Sequence, residues 1–248
     1  MKALYQNYIP QTHTTPATEN KKVSLANILA LNGLNQREDV QHLQNVVNDL
    51  YPTTKNLKAL DLGSGQGVAA ISLAEMGFEV AAFDMQRSSI AIIQKLAETQ
   101  SLNISFDIGG VKEIGKLNEK FDLIHDHDCL TKLAMVQDRV QFLKGIKNIL
   151  AKDGKFILTT EVLNPNFDPV DSFESVWLDA NHILWRQTPP SDVPGVMEMN
   201  GKCWTAQKRM APADVIRQEV LAMGFEILDE EIEMPVGGAP GILRMVLA

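Results

Sequence analysis

The chain has 248 residues, of which 45% are hydrophobic and 22% are charged. This size and composition suit one large globular domain spanning residues 1–248 and exclude a disordered or fibrous chain. Its 31 acidic and 23 basic side chains give a formal net charge of -8, which disfavours nucleic acid and anionic membranes as partners because both carry negative charge. Cys129 and Cys203 lack metal or redox spacing, and no apolar stretch approaches the roughly 20 residues of a membrane span, so we expect a soluble, cytoplasmic protein.

The first 55 residues are expected to form an arm and a helix. Residues 1–22 are polar and show no periodicity, and they contain Tyr5 and Tyr8, so this arm is interpreted either as a lid over a site or as a disordered tail. From Val40 to Leu50 the apolar residues recur at helical spacing, and Pro52 ends the pattern. This spacing predicts an amphipathic helix.

From about residue 57 short apolar runs alternate with segments of helical character. The expected strands are Leu57–Leu62, Phe78–Phe83, Ile104–Phe106, Phe121–Asp126 and Phe156–Thr160. The expected helices are Val68–Met76, a helix capped by Ser88 or Ser89 that runs through Ala97, and Arg139–Ala151. Such alternation over short connections indicates a parallel sheet with helices on both faces.

The C-terminal part breaks this alternation. A helix is expected from Pro212 to Gly224, followed by two strand-like segments, Phe225–Ile232 and Ile242–Leu247, with only a Pro/Gly loop between them. Two strands joined without a helix must pair in antiparallel orientation.

A glycine-rich turn follows the first strand and reads Asp61-Leu62-Gly63-Ser64-Gly65-Gln66-Gly67. Glycines let the backbone turn tightly and approach a ligand closely, and the free N–H groups at the start of the next helix favour an anion such as a carboxylate. Asp84 ends the next strand about 20 residues later, where a carboxylate can accept hydrogen bonds from both hydroxyls of a ribose. The arrangement predicts a site for a nucleoside-containing cofactor.

The spacing of the glycines distinguishes two cofactor classes. The dinucleotide fingerprint is G-x-G-x-x-G, whereas here the third glycine comes one place early, at Gly67, and Val68 takes its position. This spacing disfavours a nicotinamide-dependent oxidoreductase.

The D-x-G-x-G-x-G pattern resembles motif I of the class I S-adenosylmethionine-dependent methyltransferases, and the final strand pair resembles the reversed seventh strand of that family. The resemblance covers residues 57–161 by motif and 212–247 by topology. It implies an α/β, doubly wound, mostly parallel seven-stranded sheet of the Rossmann-like methyltransferase type. The last strand would be antiparallel, and a helical and aromatic cap would be inserted at residues 162–205.

The resemblance also implies a set of residues that bind S-adenosyl-L-methionine. Gly63, Ser64, Gly65 and Gly67 would pass close to its methionine part, and Asp61 would orient this turn and the amino group. Asp84 would hold the ribose, and Met85 would pack on the adenine. The acidic residue that often recognises adenine after the third strand is replaced here by Gly109-Gly110, so backbone groups of Gly110 and Val111, or the side chain of Asp107, would take that role.

The fourth strand ends in the sequence His125-Asp126-His127-Asp128. In the family this strand end faces the transferable methyl group, so Asp126 and His127 are candidate catalytic residues, with Asp126 also near the cofactor. The alternative is that Asp126, or Asp128, caps the following helix. Strand alternation separates the histidines from the aspartates, which disfavours a metal site, and no metal is expected. Glu161, at the end of the fifth strand, is either a third catalytic or substrate contact or a solvated strand end.

All three tryptophans lie in the segment inserted after the fifth strand. Trp177, Trp185 and Trp204, with His182, are candidate substrate-binding residues, because aromatic insertions at the carboxyl ends of parallel strands often wall a ligand cleft. The alternative is a small separate core beneath the insertion. His182 and Arg186 lie four residues apart on an expected helix and are interpreted as its polar face.

Together these features predict a methyltransferase that transfers the methyl group of S-adenosylmethionine to a small molecule. Two alternatives remain at this level: a non-catalytic module that only binds S-adenosylmethionine, and a protein methyltransferase. The aromatic insertion favours an enclosed pocket for a small acceptor. The sequence does not distinguish an oxygen, nitrogen, sulfur or carbon acceptor.

Overall fold

The computed structural model describes residues 34–168, 175–191 and 195–248. The expected N-terminal arm with Tyr5 and Tyr8 lies outside these ranges. The helices of the described residues are α1 (Leu34–Leu50), α2 (Val68–Glu75), α3 (Arg87–Gln100), α4 (Cys129–Lys132), α5 (Val136–Ile149) and α6 (Ala213–Ala222), with a 3-10 helix at Val111–Lys116. None of these helices has the length and apolar character that crossing a bilayer requires.

Seven strands form the main sheet. They are β1 (Lys58–Leu62), β2 (Glu79–Asp84), β3 (Ile104–Ile108), β4 (Phe121–His127), β5 (Leu150–Val162), β10 (Ile227–Glu233) and β11 (Gly241–Leu247). Their spatial order is β10-β11-β5-β4-β1-β2-β3, and β11 is antiparallel to both of its neighbours. The predicted doubly wound, mostly parallel seven-stranded sheet with a reversed last strand is therefore confirmed.

Helices cover both faces of this sheet, since successive strand side chains point to opposite faces and each face has its own hydrophobic core. On one face α1, α2 and α3 pack on alternate residues such as Ala59, Val80 and Leu123. On the other face α5 and α6 pack on the intervening residues, such as Leu60 and Ile124. The carboxyl ends of β1, β2 and β4 are thus brought to one edge between the two helical layers, where ligands bind in sheets of this kind.

The start of α3 differs from the prediction. The helix begins at Arg87, and neither Ser88 nor Ser89 caps it. The carboxylate of Asp84 instead accepts a hydrogen bond from the backbone N–H of Gln86 at 2.7 Å. This hydrogen bond closes a turn between Asp84 and Gln86 directly before the helix, which begins ahead of both serines.

The insertion after β5 forms a second, antiparallel sheet. Its strands are β6 (Val176–Leu178), β7 (Ile183–Thr188), β8 (Val196–Met199) and β9 (Lys202–Arg209), in the order β6-β7-β9-β8. We call it the small sheet. Among the described residues of the insertion the expected helical character is wrong: His182 lies in a turn with positive φ, and Arg186 lies on β7.

The physical reason is local. β8 and β9 are joined by the two residues Asn200 and Gly201, whose φ angles of 53° and 71° are those of a type I′ hairpin turn. In β7, the residues Ile183, Trp185 and Thr188 favour a strand, and this preference outweighs the four-residue spacing of His182 and Arg186.

Candidate active site

A cavity of about 260 Å³ lies at the carboxyl ends of β1 and β4, beneath α1. Residues of α1, of the glycine-rich turn and of the β4–α4 junction line it: Asp39, Val40, Leu43, Asp61, Leu62, Gly63, Ser64, Gly65, Gln66, Val68, Ala69, His125, His127, Asp128 and Lys132. Three carboxylates therefore face one lysine and two imidazoles. Such a cavity suits a ligand that carries positive charge.

The glycine-rich turn has the geometry that its sequence predicts. Gly63, Gly65 and Gly67 all have positive φ, at 62°, 51° and 81°. A Cβ at Gly63 would lie 2.5 Å from Cys129 Sγ, and one at Gly67 would lie 2.4 Å from a side-chain carbon of Ile93. Both positions therefore require glycine for backbone conformation and for space.

Asp84 and Ser64 hold this turn in place. The Asp84 carboxylate accepts a hydrogen bond from the N–H of Gly65 at 2.9 Å, in addition to the one from Gln86. The hydroxyl of Ser64 donates to the backbone oxygen of Asp61 at 2.9 Å. Asp84 is half-buried at the end of β2 and, like Met85, is not among the residues that line the cavity.

Asp61 and His125 form a buried pair at the back of the cavity. Their Cα atoms are register partners in the β1–β4 ladder, and His125 Nδ1 lies 2.8 Å from Asp61 Oδ1. A carboxylate oxygen only accepts, so the imidazole Nδ1 donates. Oδ2 of Asp61 is buried and has no hydrogen-bond partner within the described part of the chain.

His127 lies in the cavity wall between two carboxylates. Its Nε2 is 3.5 Å from Asp39 Oδ2 on α1 and 3.6 Å from Asp128 Oδ2. Asp39 is itself held by the buried guanidinium of Arg244, at 2.8 Å. Asp128 accepts a hydrogen bond from the hydroxyl of Thr131 at 3.2 Å. This side of the cavity thus presents an imidazole backed by two fixed carboxylates.

Asp126 has a different position. It is fully buried, and its two carboxylate oxygens accept hydrogen bonds from the N–H groups of Cys129 and Leu130, each at 3.1 Å. This is the capping role that the sequence left open, and Asp126 is not among the residues that line the cavity. Burial raises the pKa of Asp126 to about 6, and the two hydrogen bonds only partly oppose this effect.

Glu161 lies at the carboxyl end of β5, next to the β4 end. Its carboxylate forms an ion pair with Lys208 of β9, and its N–H donates to the Thr131 hydroxyl at 3.0 Å. Glu161 therefore joins the small sheet to the main sheet. It is not among the cavity-lining residues.

The expected adenine side is apolar and open. Met85 and Ile108, at the ends of the adjacent strands β2 and β3, are 45% and 43% exposed. Gly110 and Val111 are half-buried at the start of the 3-10 helix that follows β3. Asp107, the alternative partner for adenine, borders a second cavity of about 230 Å³ that shares no lining residue with the first.

The tryptophans of the small sheet pack on one another. The Trp177 ring stacks on that of Trp185, with centroids 6.3 Å apart, and meets Trp204 edge-on at 6.1 Å. Trp185 donates to Asp179 at 3.0 Å, whereas the indole nitrogen of Trp204 is buried without a partner among the described residues. With Ala134 and Ile183 they form a separate hydrophobic cluster, and neither they nor His182 line the cavity.

The structure adds three residues to which the sequence assigned no role. His125 and Asp39 line the cavity, and Ile108 extends the apolar surface beside Met85. The face of His125 was predictable from strand alternation, but its pairing with Asp61 depends on the β1–β4 register. Asp39 is far from the motif in sequence, and no local pattern distinguishes it from other polar residues of α1.

The fold, with its glycine-rich turn and acidic β2 end, defines a class I S-adenosylmethionine-dependent methyltransferase. A family model described as "Methyltransferase domain" matches residues 53–217, well over half of the chain. The chain therefore belongs to the methyltransferase domain family, and its cofactor is S-adenosylmethionine.

Individual relatives agree with this assignment. The chain is 31% identical over 115 residues to the ubiquinone biosynthesis O-methyltransferase of Coxiella burnetii, a match that covers 46% of this chain and 47% of that protein. The chain thus spans about half the length of the curated relatives it matches.

Two solved structures show the same fold. The PH0226 protein from Pyrococcus horikoshii has a TM-score of 0.63 at 19% identity, covering 88% of this chain and 92% of that one. An S-adenosylmethionine-dependent methyltransferase from Clostridium acetobutylicum has a TM-score of 0.57 at 16% identity, covering 84% and 89%.

Proposed function

We propose that this chain methylates a hydroxyl group of a small molecule, with His127 as the general base. The observation that carries the proposal is the position of His127 in the cavity wall, between the carboxylates of Asp39 and Asp128. The names of the curated relatives, which are O-methyltransferases, point to the same acceptor atom.

The residues of the cavity fit the cofactor. Oδ2 of Asp61 is a buried acceptor without a partner among the described residues, so it suits the ammonium group of the methionine part. Outside the cavity lining, Asp84 at the end of β2 is proposed to bind the ribose hydroxyls, and the exposed side chains of Met85 and Ile108 offer apolar surface for the adenine. When bound, S-adenosylmethionine supplies a methyl carbon that is already activated for displacement.

A base is needed only for some acceptors. A thiol or a neutral amine attacks with little help, whereas a hydroxyl attacks well only if its proton is removed. His127 Nε2 faces the two carboxylates, which favours an N–H at that atom and leaves Nδ1 to accept the proton of the hydroxyl. The same carboxylates then stabilise the imidazolium that forms.

The small sheet is proposed to border the acceptor side of the site. Support comes from its two contacts with the cavity region: Lys208 of β9 binds Glu161, and the tryptophan cluster packs on Ala134, two residues after the cavity-lining Lys132. Glu161 then acts through its ion pair in holding the small sheet rather than as a base.

The test is methyl transfer from tritiated S-adenosylmethionine to a panel of small phenols, amines and thiols. We expect transfer to a phenol. Replacing His127 by asparagine should lower kcat by about 10²- to 10⁴-fold, the usual contribution of a general base, without weakening S-adenosylhomocysteine binding. His42→Asn is the matched control, because His42 lies on α1, the helix that covers the cavity, but does not line the cavity.

Two results would contradict the proposal. One is transfer to amines or thiols with none to hydroxyl acceptors. The other is a His127→Asn variant that methylates a phenol as fast as the His42→Asn variant does.

A further inference from the structure

The two carboxylate oxygens of Asp61 have unlike surroundings. Oδ1 is bonded to His125 Nδ1 at 2.8 Å, whereas Oδ2 is buried and has no partner in the described ranges. Asp61 is only 1% exposed, and it lines the cavity. One oxygen is therefore fixed by the protein, and the other is left for a ligand.

His125 is suited to fixing this carboxylate because its own position is rigid. It lies on β4 directly opposite Asp61 on β1, and it is 4% exposed. The imidazole has few rotamers open to it between two packed strands, so its N–H defines the rotation of the Asp61 side chain. If this bond were absent, the carboxylate would be free to turn, and Oδ2 would have no fixed direction.

His125 differs in this respect from His127, two residues further along the same strand. His127 is about one-third exposed and meets its carboxylates at 3.5 Å and 3.6 Å. His125 is buried and makes a short hydrogen bond to a single carboxylate. The exposed imidazole of His127 can contact a ligand. The buried imidazole of His125 suits a fixed hydrogen-bond donor.

We propose that His125 is a positioning residue that aims Asp61 Oδ2 at the α-ammonium group of the cofactor. The amino group then becomes a feature by which the site selects its ligand. This inference rests on the proposed placement of the cofactor in the cavity. His125 acts through Asp61 and touches no reacting atom.

The test compares two ligands, S-adenosylhomocysteine and its deamino analogue, in which hydrogen replaces the α-amino group. Calorimetry gives the affinity of each for the wild-type chain and for Asp61→Asn, His125→Leu and His125→Asn. The leucine removes the donor at similar volume, and the asparagine keeps an N–H close to the position of Nδ1.

We expect the wild type to prefer S-adenosylhomocysteine over the deamino analogue. His125→Leu should reduce this preference about tenfold, which corresponds to losing one well-aimed interaction with a charged group. Its affinity for the deamino analogue should hardly change. Asp61→Asn should lose the preference, and His125→Asn should keep most of it.

A merely structural role would lower the affinity for both ligands by the same factor, and this result would overturn the inference. So would equal affinity of the wild type for the two ligands. Loss of methyl transfer in His125→Asn with unchanged binding of both ligands would instead make His125 a catalytic residue. If S-adenosylhomocysteine does not bind the wild type at all, the proposed function is overturned too. A failure of the inference about His125 alone is therefore distinguished by wild-type binding of S-adenosylhomocysteine.

A second measurement needs no variant and covers the case that His125→Leu does not fold. The ¹⁵N resonances of the His125 imidazole in the wild-type chain should show a proton on Nδ1 in both complexes. They should differ between the S-adenosylhomocysteine and deamino complexes, because the ammonium group polarises the Asp61 carboxylate. Identical spectra in the two complexes would contradict the inference.

Discussion

Replacing Asp126 by asparagine should change how the stability of the protein depends on pH. Burial raises the pKa of this carboxyl group from 3.8 to about 6 in the folded state. Between pH 3.8 and about pH 6, the carboxyl group of Asp126 has lost its proton in the unfolded chain and still holds it in the folded chain. The folded state then binds more protons, so the contribution of Asp126 to stability falls as pH rises through this window.

The size of the effect follows from the shift. About two pKa units correspond to about 3 kcal/mol, and above pH 6 this whole penalty applies to the charged, fully buried carboxylate. Asparagine is neutral but accepts only one of the two helix N–H groups well, which costs about 1 kcal/mol. Asp126→Asn should therefore be about 2 kcal/mol more stable than the wild type near pH 8 and slightly less stable near pH 4.

Urea-induced unfolding of both chains across this pH range measures the effect, since the titrations of groups that do not interact with Asp126 cancel in the difference. Asp126→Ser is the control, because serine is also uncharged at these pH values, and it should show the same pH dependence relative to the wild type. If the stability of Asp126→Asn relative to the wild type does not change between about pH 4 and 6, or falls as pH rises, the reasoning is refuted.

Three further outcomes are expected. Asp84→Ala should weaken S-adenosylhomocysteine binding by about 1 to 3 kcal/mol in calorimetry, because hydrogen bonds to a charged acceptor are lost; unchanged affinity would remove Asp84 from the ribose site. Glu219→Gln should lower the free energy of unfolding by about 3 to 5 kcal/mol, because it leaves the buried guanidinium groups of Arg139 and Arg209 without their shared carboxylate. Urea titration measures this loss, and a value below about 1 kcal/mol would contradict the prediction. Trp185→Ala should lower stability by about 3 to 5 kcal/mol with little change in cofactor affinity, since this ring is buried in the small-sheet cluster; a selective loss of cofactor binding would place the ring in the cofactor site.

The main sheet was predictable because its signals are local and consistent with one another. Apolar runs alternate with helical segments. The glycine-rich turn has positive φ at Gly63, Gly65 and Gly67 and leaves no room for a Cβ at Gly63 or Gly67. The final strand pair has no helix between its members, so its antiparallel orientation follows from connectivity.

The site was only partly predictable, because it depends on contacts between distant segments. Asp61 and His125 meet through the register of two strands, and Asp39 reaches the cavity from a helix whose sequence carries no motif. The phase of β4 decides that His127 faces the cavity and Asp126 lies beneath α4, and the sequence left both roles of Asp126 open.

In the part of the insertion that the structure describes, strands take the place of the predicted helical character. The Asn200-Gly201 pair is a strong hairpin signal. The composition of the segment, with three tryptophans, indicated a cap without indicating the element that carries it.

A crystal structure of the chain with S-adenosylhomocysteine tests the account most directly. We expect the methionine part in the cavity between the glycine-rich turn and α1, with its ammonium nitrogen about 2.7–3.2 Å from Asp61 Oδ2. The ribose should lie on Asp84, and the sulfur should face the side of the cavity that His127 borders. A ligand bound elsewhere, or an Asp61 Oδ2 without contact to the ammonium group, would contradict the account.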